Sequence, residues 1–159
     1  MLIQGKKRRV GRKVENITGG EKLKLTEKIE DQDVLLYLGL TNDGNPLYIQ
    51  HDYASQTPYE NPIVPTIMLT GIITSATSKY LPGPGSHVIE QVLKFPNIVY
   101  HYETIEILLE VIEVKTNENK IIVKVEALNE DEKIVISGTV TVVPPVMEER
   151  LTSQAMENF

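Results

Sequence analysis

The chain has 159 residues, of which 41% are hydrophobic, enough to bury the core of one ordinary globular domain. Its formal net charge of −6 argues against broad nucleic-acid affinity, because such binding needs cations that neutralise phosphates. The absence of cysteine excludes disulfides, thiolate nucleophiles and thiolate metal sites. Apolar runs of signal-peptide or membrane-span length are missing. We therefore expect a soluble, cytoplasmic protein with no membrane partner.

The first two predicted elements are a strand and a helix. Leu23 and Leu25 alternate with polar residues, which predicts a half-buried strand that runs to about Ile29. Residues 31–40 predict a short helix with Asp31 as its N-cap. Its apolar residues recur at helical spacing: Val34, Leu35 and Leu38.

A turn and a second, longer helix follow. The Asn, Asp, Gly and Pro cluster at residues 42–46 predicts a turn, and residues 46–57 predict a short helix or an overhanging loop. Residues 65–80 carry apolar side chains on more than one face, which is typical of a helix inside a domain. Pro65 suits the first helical turn, where a missing N–H costs nothing, and the Pro- and Gly-rich segment 81–85 ends the helix.

The remaining pattern predicts strands. Four segments are rich in Val and Ile and are bounded by turn residues: 87–95, 105–114, 120–128 and 133–143. In the last two, apolar residues alternate with polar ones at Ile121, Val123, Val125, Ile134, Ile136, Val140 and Val142. One face of these strands is therefore expected to pack on the helix. Together with the first strand, the pattern predicts an α+β domain in which five antiparallel strands surround one long buried helix.

Spaced motifs in the middle of the chain resemble one known family. Asp43, Asn45 and Pro46 lie in TNDGNPLYIQHDYA, and PIVPTIMLTGIITS, LPGPGS and a strand ending at Phe95 follow in order. This order resembles the MaoC-like hydratases and dehydratases. The resemblance implies a hotdog fold, in which an antiparallel sheet wraps a central helix, and a homodimer or higher homo-oligomer. The expected organisation is a basic arm in residues 1–20, the hotdog domain in 21–147 and a polar tail in 148–159.

The resemblance also implies a reaction on an acyl thioester of coenzyme A or of acyl carrier protein. Family members add water reversibly to a 2-enoyl-CoA to give a 3-hydroxyacyl-CoA, with no cofactor besides the coenzyme A of the substrate. Asp43 then acts as the general base that takes a proton from the attacking water. Asn45 belongs to the predicted substrate-binding set and helps to hold the loop. The cluster around these residues is also typical of a purely structural turn.

Tyr48 stands where the family pattern has its second catalytic residue, a histidine. A phenol donates a proton but does not replace an imidazole base near neutral pH. Tyr48 therefore orients the water or donates a proton, or it merely fills the space of the missing ring. His51, three residues further on, is poorly placed to substitute for the histidine. We predict no metal site, because His51, His87 and His101 lack metal-ligand spacing.

Further differences from the family pattern lie on the long helix and at a strand entry. In the family, backbone N–H groups at the helix start hold the thioester oxygen; here Thr66 offers such a group and Pro65 does not. Gly71 stands where a serine would match, and it permits close packing of an acyl chain. Thr66 and Gly71 complete the predicted substrate-binding set. Tyr102 and Glu103 replace a Gly-Asp pair that serves turn geometry.

The segment KKRRVGRK, residues 6–13, has six cations in eight positions. It suits the phosphates of coenzyme A or a solvated arm, and we do not expect nucleic acid as its partner, because no recognition-helix pattern accompanies it. Three functions remain, in order of preference: an enoyl-CoA hydratase, a non-catalytic acyl-CoA-binding protein and an acyl-CoA thioesterase. The NDGNP signature favours the hydratase. The altered residues Tyr48, Pro65 and Gly71 favour a binding protein, because polar catalytic groups are lost there.

Overall fold

A central helix wrapped by a sheet organises the chain in the computed structural model, which describes residues 2–3 and 10–146. The strands are β1 Leu2–Ile3, β2 Lys22–Lys28, β3 His87–Lys94, β4 Thr104–Lys115, β5 Lys120–Leu128 and β6 Ile134–Val143. The helices are α1 Asp31–Thr41, α2 His51–Ala54 and α3 Thr66–Lys79, with 3₁₀ turns at Val14–Asn16, Pro46–Tyr48 and Thr116–Glu118. The predicted α+β architecture is confirmed.

The sheet has the strand order β1-β2-β4-β5-β6-β3. From β2 onward all neighbouring strands are antiparallel, and the two-residue β1 pairs in parallel with β2. The predicted five antiparallel strands are therefore confirmed, with ends close to the predicted ones. Because the order ends at β3, this strand forms an outer edge of the sheet in the described part of the chain.

Burial along the last two strands follows the predicted alternation, with one correction. In β5, Ile121 and Val123 are fully buried whereas Lys124 is exposed. In β6, Ile134 is 38% exposed, and Val135 is fully buried instead. The prediction that Ile134 faces the core is wrong because the pairing of β5 with β6 shifts register at this point, which turns the start of β6.

Helix α1 begins as predicted but with a different cap. Glu30 is the N-cap, and its side chain and that of Asp33 form a reciprocal capping box with the backbone. Asp31 is the first helical residue, so its predicted N-cap role is wrong. The helical spacing of the apolar residues is confirmed; Val34 faces the core and is fully buried, whereas Leu35 is 56% exposed.

Helix α3 carries the core of the fold. Leu69 and Ile73 are at most 1% exposed, and they pack in one cluster with the inward-facing residues of the sheet. Pro65 is the N-cap of α3 and does not lie within its first turn. The opposite side is more open, since Ile67 is 52% exposed. The prediction of a buried helix is thus confirmed for one side of α3. The other side lies at the surface of the single chain.

Residues 10–20, which fall in the predicted basic arm, pack on the domain. Val14 and Ile17 are buried at 3% and 5% exposure. The Arg12 guanidinium pairs with the Glu21 carboxylate, which is 5% exposed, and one of the two hydrogen bonds measures 2.8 Å. Glu21 also accepts a 2.8 Å hydrogen bond from the Thr18 N–H. This ion pair fixes the entry of the chain into β2.

Other parts of the predicted termini lie outside the described residues. These are the cations Lys6–Arg9 and the tail 148–159. Within the described residues, no helix is both long and apolar enough to cross a membrane.

We predict that Arg12→Ala lowers the free energy of unfolding by about 2–3 kcal/mol, because it removes charge-assisted hydrogen bonds to a buried carboxylate. The matched control is Lys24→Ala, which removes the exposed ion pair of Lys24 with Glu106. That change is expected to cost less than about 1 kcal/mol. Urea denaturation measures both values. Equal small losses in the two variants would show that Arg12 does not anchor the segment.

Candidate functional site

The segment from Asn42 to Tyr48, here called the motif loop, follows directly from the end of α1. Asn42 adopts a left-handed conformation with φ 54°, which asparagine tolerates better than most residues. The N–H groups of Asn42 and Asp43 both donate to the Leu38 carbonyl. The direction in which the loop leaves α1 is therefore fixed by backbone hydrogen bonds.

Asp43 and Asn45 hold the motif loop through their own side chains. Asp43 is half-buried, and its Oδ1 accepts a 3.0 Å hydrogen bond from the Asn45 N–H. Asn45 Oδ1 in turn accepts a 3.0 Å hydrogen bond from the Leu47 N–H and caps the 3₁₀ turn Pro46–Tyr48. Both side chains thus have the structural turn role that their residue types favour. The hydrogen bond from the Asn45 N–H also orients the Asp43 carboxylate, so the position of this carboxylate is well defined.

Tyr48 ends the 3₁₀ turn and lies between the loop and the core. Its N–H donates a 3.2 Å hydrogen bond to the Asn45 carbonyl. Its side chain is half-buried and packs against the hydrophobic core cluster. The structure therefore places Asp43, Asn45 and Tyr48 in one short loop, as the motif predicts.

The motif loop is joined to the chain that enters α3. The Ile63 N–H donates a 3.2 Å hydrogen bond to the Leu47 carbonyl, and the Val64 N–H donates a 2.8 Å bond to the Val99 carbonyl. Ile63 and Val64 come just before the start of α3 at Thr66. The loop and the N-terminus of α3 are thus connected through the backbone.

No side chain of the described residues caps the N-terminus of α3. Its N-cap is Pro65, which makes no side-chain capping bond, and Thr66 is exposed. The first N–H groups of a helix have no partner within the helix, and they carry the positive end of the helix dipole. Such a terminus suits a carbonyl oxygen that becomes negative during a reaction.

Gly71 lies away from the motif loop. It lines a groove of about 260 Å³ between α3 and β2, together with Met68, Ile72, Ser75 and Leu25. A Cβ placed on Gly71 meets no atom within 4 Å. Packing within the described chain therefore does not require glycine here. The groove, as far as the structure describes it, is lined by α3, β2 and Tyr80 and not by the loop.

His51 begins α2, is exposed and belongs to a second pocket. This pocket has a volume of about 310 Å³ and is also lined by Tyr100, His101 and Tyr102. The sequence motifs do not identify this pocket; the sequence signal that marks it is the Tyr-His-Tyr run at residues 100–102. In the described chain, no group of three or more His, Cys, Asp or Glu residues is arranged to hold a metal ion.

Tyr102 and Glu103 form the turn that enters β4, as the sequence predicts. The Tyr102 N–H donates a 2.7 Å hydrogen bond to the Ile29 carbonyl, and the Ile29 N–H donates a 3.1 Å bond to the Glu103 carbonyl. The Glu103 side chain accepts a 3.0 Å bond from the Tyr100 N–H. These backbone hydrogen bonds hold the turn against the end of β2.

Comparison with known proteins identifies a family. The model of the MaoC like domain matches residues 12–133. An (R)-specific enoyl-CoA hydratase of Rhodospirillum rubrum is 30% identical over 131 residues, which are 82% of this chain and 90% of that protein. A mitochondrial 3-hydroxyacyl-[acyl-carrier-protein] dehydratase of Arabidopsis thaliana is 27% identical over 132 residues, which are 81% of this chain and 78% of that protein.

A solved structure supports the same relationship. The unliganded R-hydratase PhaJ1 of Pseudomonas aeruginosa has a TM-score of 0.79 and 26% identity, over 85% of this chain and 86% of that one. The helix wrapped by an antiparallel sheet is accordingly the hotdog fold. Because the family model covers more than half of the sequence, the chain belongs to the MaoC-like domain family.

Proposed function

We propose that the protein reversibly hydrates a 2-enoyl thioester to a 3-hydroxyacyl thioester, with Asp43 as the general base. The observation that carries this proposal is the geometry of the motif loop. Asp43 is half-buried and oriented by the Asn45 N–H, and the Leu47–Ile63 hydrogen bond connects the loop to the N-terminus of α3. A base and a helix N-terminus joined in this way suit addition of water next to a thioester carbonyl.

In the proposed reaction, Asp43 removes a proton from a water molecule as its oxygen bonds to the β-carbon of the enoyl group. The electron pair of the carbon–carbon double bond moves toward the thioester carbonyl, which gives an enolate. The Thr66 N–H at the start of α3 stabilises the enolate oxygen. The Tyr48 phenol donates a proton to the α-carbon, and the proton held by Asp43 then restores the phenol through solvent. Dehydration follows the same steps in reverse.

The proposed substrates are thioesters of coenzyme A or of acyl carrier protein. This follows the names of the relatives, one of which is an enoyl-CoA hydratase and another a 3-hydroxyacyl-[acyl-carrier-protein] dehydratase. No cofactor is needed, since the thioester itself polarises the double bond. Asn45 acts in this scheme by holding the loop, and Gly71 by admitting an acyl chain to the groove beside α3.

The proposed assembly is a homodimer. Two apolar residues of the outer strand β3, Ile89 and Val92, are 47% and 58% exposed. Ile67 at the start of α3 is exposed as well. An exposed apolar edge strand is a template for pairing with a second chain, which would cover these side chains.

A second candidate is an acyl-CoA-binding protein without catalysis, and Tyr48 is the observation that favours it. The ring is half-buried against the core, as a side chain that only fills space would be. In this alternative the thioester pocket is retained, and the proton transfer that needs an imidazole is lost. The two candidates differ in turnover and not in binding.

We predict that Asp43→Asn lowers kcat/KM for crotonyl-CoA hydration by at least about 100-fold, which is the range for loss of a general base. Asparagine keeps an oxygen acceptor for the Asn45 N–H, so the loop and the melting temperature are expected to remain unchanged. The rate is followed by loss of the enoyl-thioester absorbance.

Tyr48→Phe and Tyr48→His complete this experiment. The phenylalanine variant keeps the ring and loses the proton donor, so it is expected to lower kcat by at least about tenfold. If the wild-type protein binds acyl-CoA without turnover and Tyr48→His gains hydration, the binding protein is the correct alternative. Absence of both binding and turnover in all variants would contradict an acyl-thioester function.

We predict that Gly71→Ala raises the free energy of unfolding by about 1 kcal/mol, because the position is helical and a Cβ meets nothing. Gly39→Ala is the matched control, since Gly39 is also helical, exposed and open around its Cβ. If the groove takes the acyl chain, only Gly71→Ala weakens binding of long-chain acyl-CoA. Unchanged binding in both variants would remove Gly71 from the substrate site.

We predict that Val92→Lys halves the molecular mass in solution, since a charged edge strand opposes strand pairing. Ile112→Lys is the control, because Ile112 is 50% exposed but lies on the inner strand β4. Light scattering after size-exclusion chromatography measures the mass. A wild-type monomer, or equal effects of the two changes, would contradict a β3-mediated dimer.

A further inference from the structure

The second pocket lies outside the proposed catalytic residues. Its volume is about 310 Å³, at the lower end of the range of small-ligand sites. It is formed where the N-terminus of α1, the start of α2, the segment before α3 and the turn before β4 meet. Its lining includes Asp31, His51, Asn61 and the run Tyr100–Tyr102. In the described chain, Asp43, Tyr48, Thr66 and Gly71 do not contribute to it.

One buried atom of this pocket has no hydrogen-bond partner. The Nε2 atom of His101 is buried, and no group of the described chain forms a hydrogen bond with it. Such an atom is destabilising unless a ligand or solvent molecule pairs with it. His101 lines the pocket, so a small rotation of its ring would bring Nε2 within reach of a ligand with an N–H donor.

Tyr102 occupies a conformation that favours glycine. Its φ is 68°, in the left-handed region where a large side chain is strained. The side chain is 54% exposed, so burial in the core does not explain the tyrosine. Strain of this kind is held where the side chain itself is needed.

The charge around the pocket is negative. A hydrogen bond to Asp31 raises the pKa of the Tyr102 phenol, with smaller contributions from desolvation and from the charge of Asp31 and Glu30. Desolvation raises the pKa of Tyr100, and the nearby charges of Glu60 and Glu103 add to it.

Few cations offset this charge. Lys28 offsets Glu30 through an ion pair of 3.7 Å, and no Lys or Arg of the described chain lines the pocket. Anionic ligands, including the phosphates of coenzyme A, are therefore disfavoured here.

We propose that this pocket binds an organic cation, through an ammonium or guanidinium group. The Asp31 carboxylate supplies the opposite charge, and the rings of Tyr100 and Tyr102 supply aromatic faces for a cation–π contact. The His101 imidazole accepts a hydrogen bond from the ligand N–H at Nε2. The cation is either a free amine or a lysine or arginine side chain of another protein, and both present the same group.

The three histidines provide a direct test by nuclear magnetic resonance. Imidazole signals of His51 and His101 report on the pocket, whereas His87 on β3 is an internal control. Titration with butylammonium and with guanidinium is expected to shift the first two signals to saturation and to leave His87 unchanged. Acetate and inorganic phosphate at equal ionic strength are expected to shift neither. Equal shifts of all three histidines, or saturation by the anions, would overturn the proposal.

Two variants test the residues that carry the argument. Asp31→Asn is expected to weaken binding of butylammonium by at least tenfold, since capping of α1 rests on Glu30 and Asp33. Tyr102→Gly relieves the left-handed strain and is expected to keep the melting temperature within about 2 °C, while it weakens binding at least fivefold. Glu132→Gly is the matched control, because Glu132 has φ 59° in a turn and is not among the pocket-lining residues. Unchanged binding in Tyr102→Gly would contradict the proposed role.

The source of the cation is distinguished by a second titration. A blocked Gly-Lys-Gly peptide presents the same ammonium on a chain, and a blocked Gly-Gln-Gly peptide is its neutral counterpart. Binding of the lysine peptide at least as tight as that of butylammonium indicates a protein partner, and exclusion of the peptide indicates a free amine. The result does not depend on thioester hydration, so failure of either proposal leaves the other intact. Failure of both cationic probes overturns this one.

Discussion

The packing of α3 against the sheet is the constraint on which the rest of the structure depends. Leu69 and Ile73 are buried, so the helix cannot rotate or slide without opening the core. Its N-terminus is then fixed at one end of the sheet. The chain from α1 must cross that end before it enters α3, and the Leu47–Ile63 hydrogen bond ties the crossing segment in place. The position of the motif loop therefore follows from core packing together with this hydrogen bond.

Residues of the motif loop combine a structural and a chemical role. The Asp43 carboxylate closes the turn through Oδ1, and it is the same group that the proposed mechanism uses as a base. Asn45 stabilises the following turn and thereby sets where Tyr48 points. The residues that are typical of an ordinary turn are thus the same residues that form the hydratase-like motif. Asp43→Asn preserves the acceptor that closes the turn and removes the proton-accepting carboxylate, so this change separates the structural role of Asp43 from its proposed chemical role.

Much of the fold was predictable because burial repeats with a period. Alternation in β5 marks its inner face, and the apolar surface of α3 marks a buried helix. Two predictions were wrong where local geometry departs from the regular pattern. Ile134 lies at a register shift between strands, and the N-cap of α1 is Glu30, one residue before the predicted Asp31. The site was less predictable, because its parts meet only after folding. The motif loop is continuous in sequence and was found, whereas the pocket at Tyr102 joins four separate segments and was not.

The exposed apolar residues of the single chain bear on how the site works. Leu36 and Leu40 on α1 are 73% and 87% exposed, and Val92 on the edge strand β3 is 58% exposed. Apolar patches of this kind on a single chain commonly mark surfaces that another chain or a ligand covers. The groove beside Gly71 is open in the same way and is lined in the described structure by α3 and its neighbours alone. The surface that covers the groove then sets the length of the groove, and hence the length of the acyl chain in the proposed function. In the proposed homodimer, substrate range is therefore a property of the assembly, while the proposed base and the helix N-terminus belong to each chain.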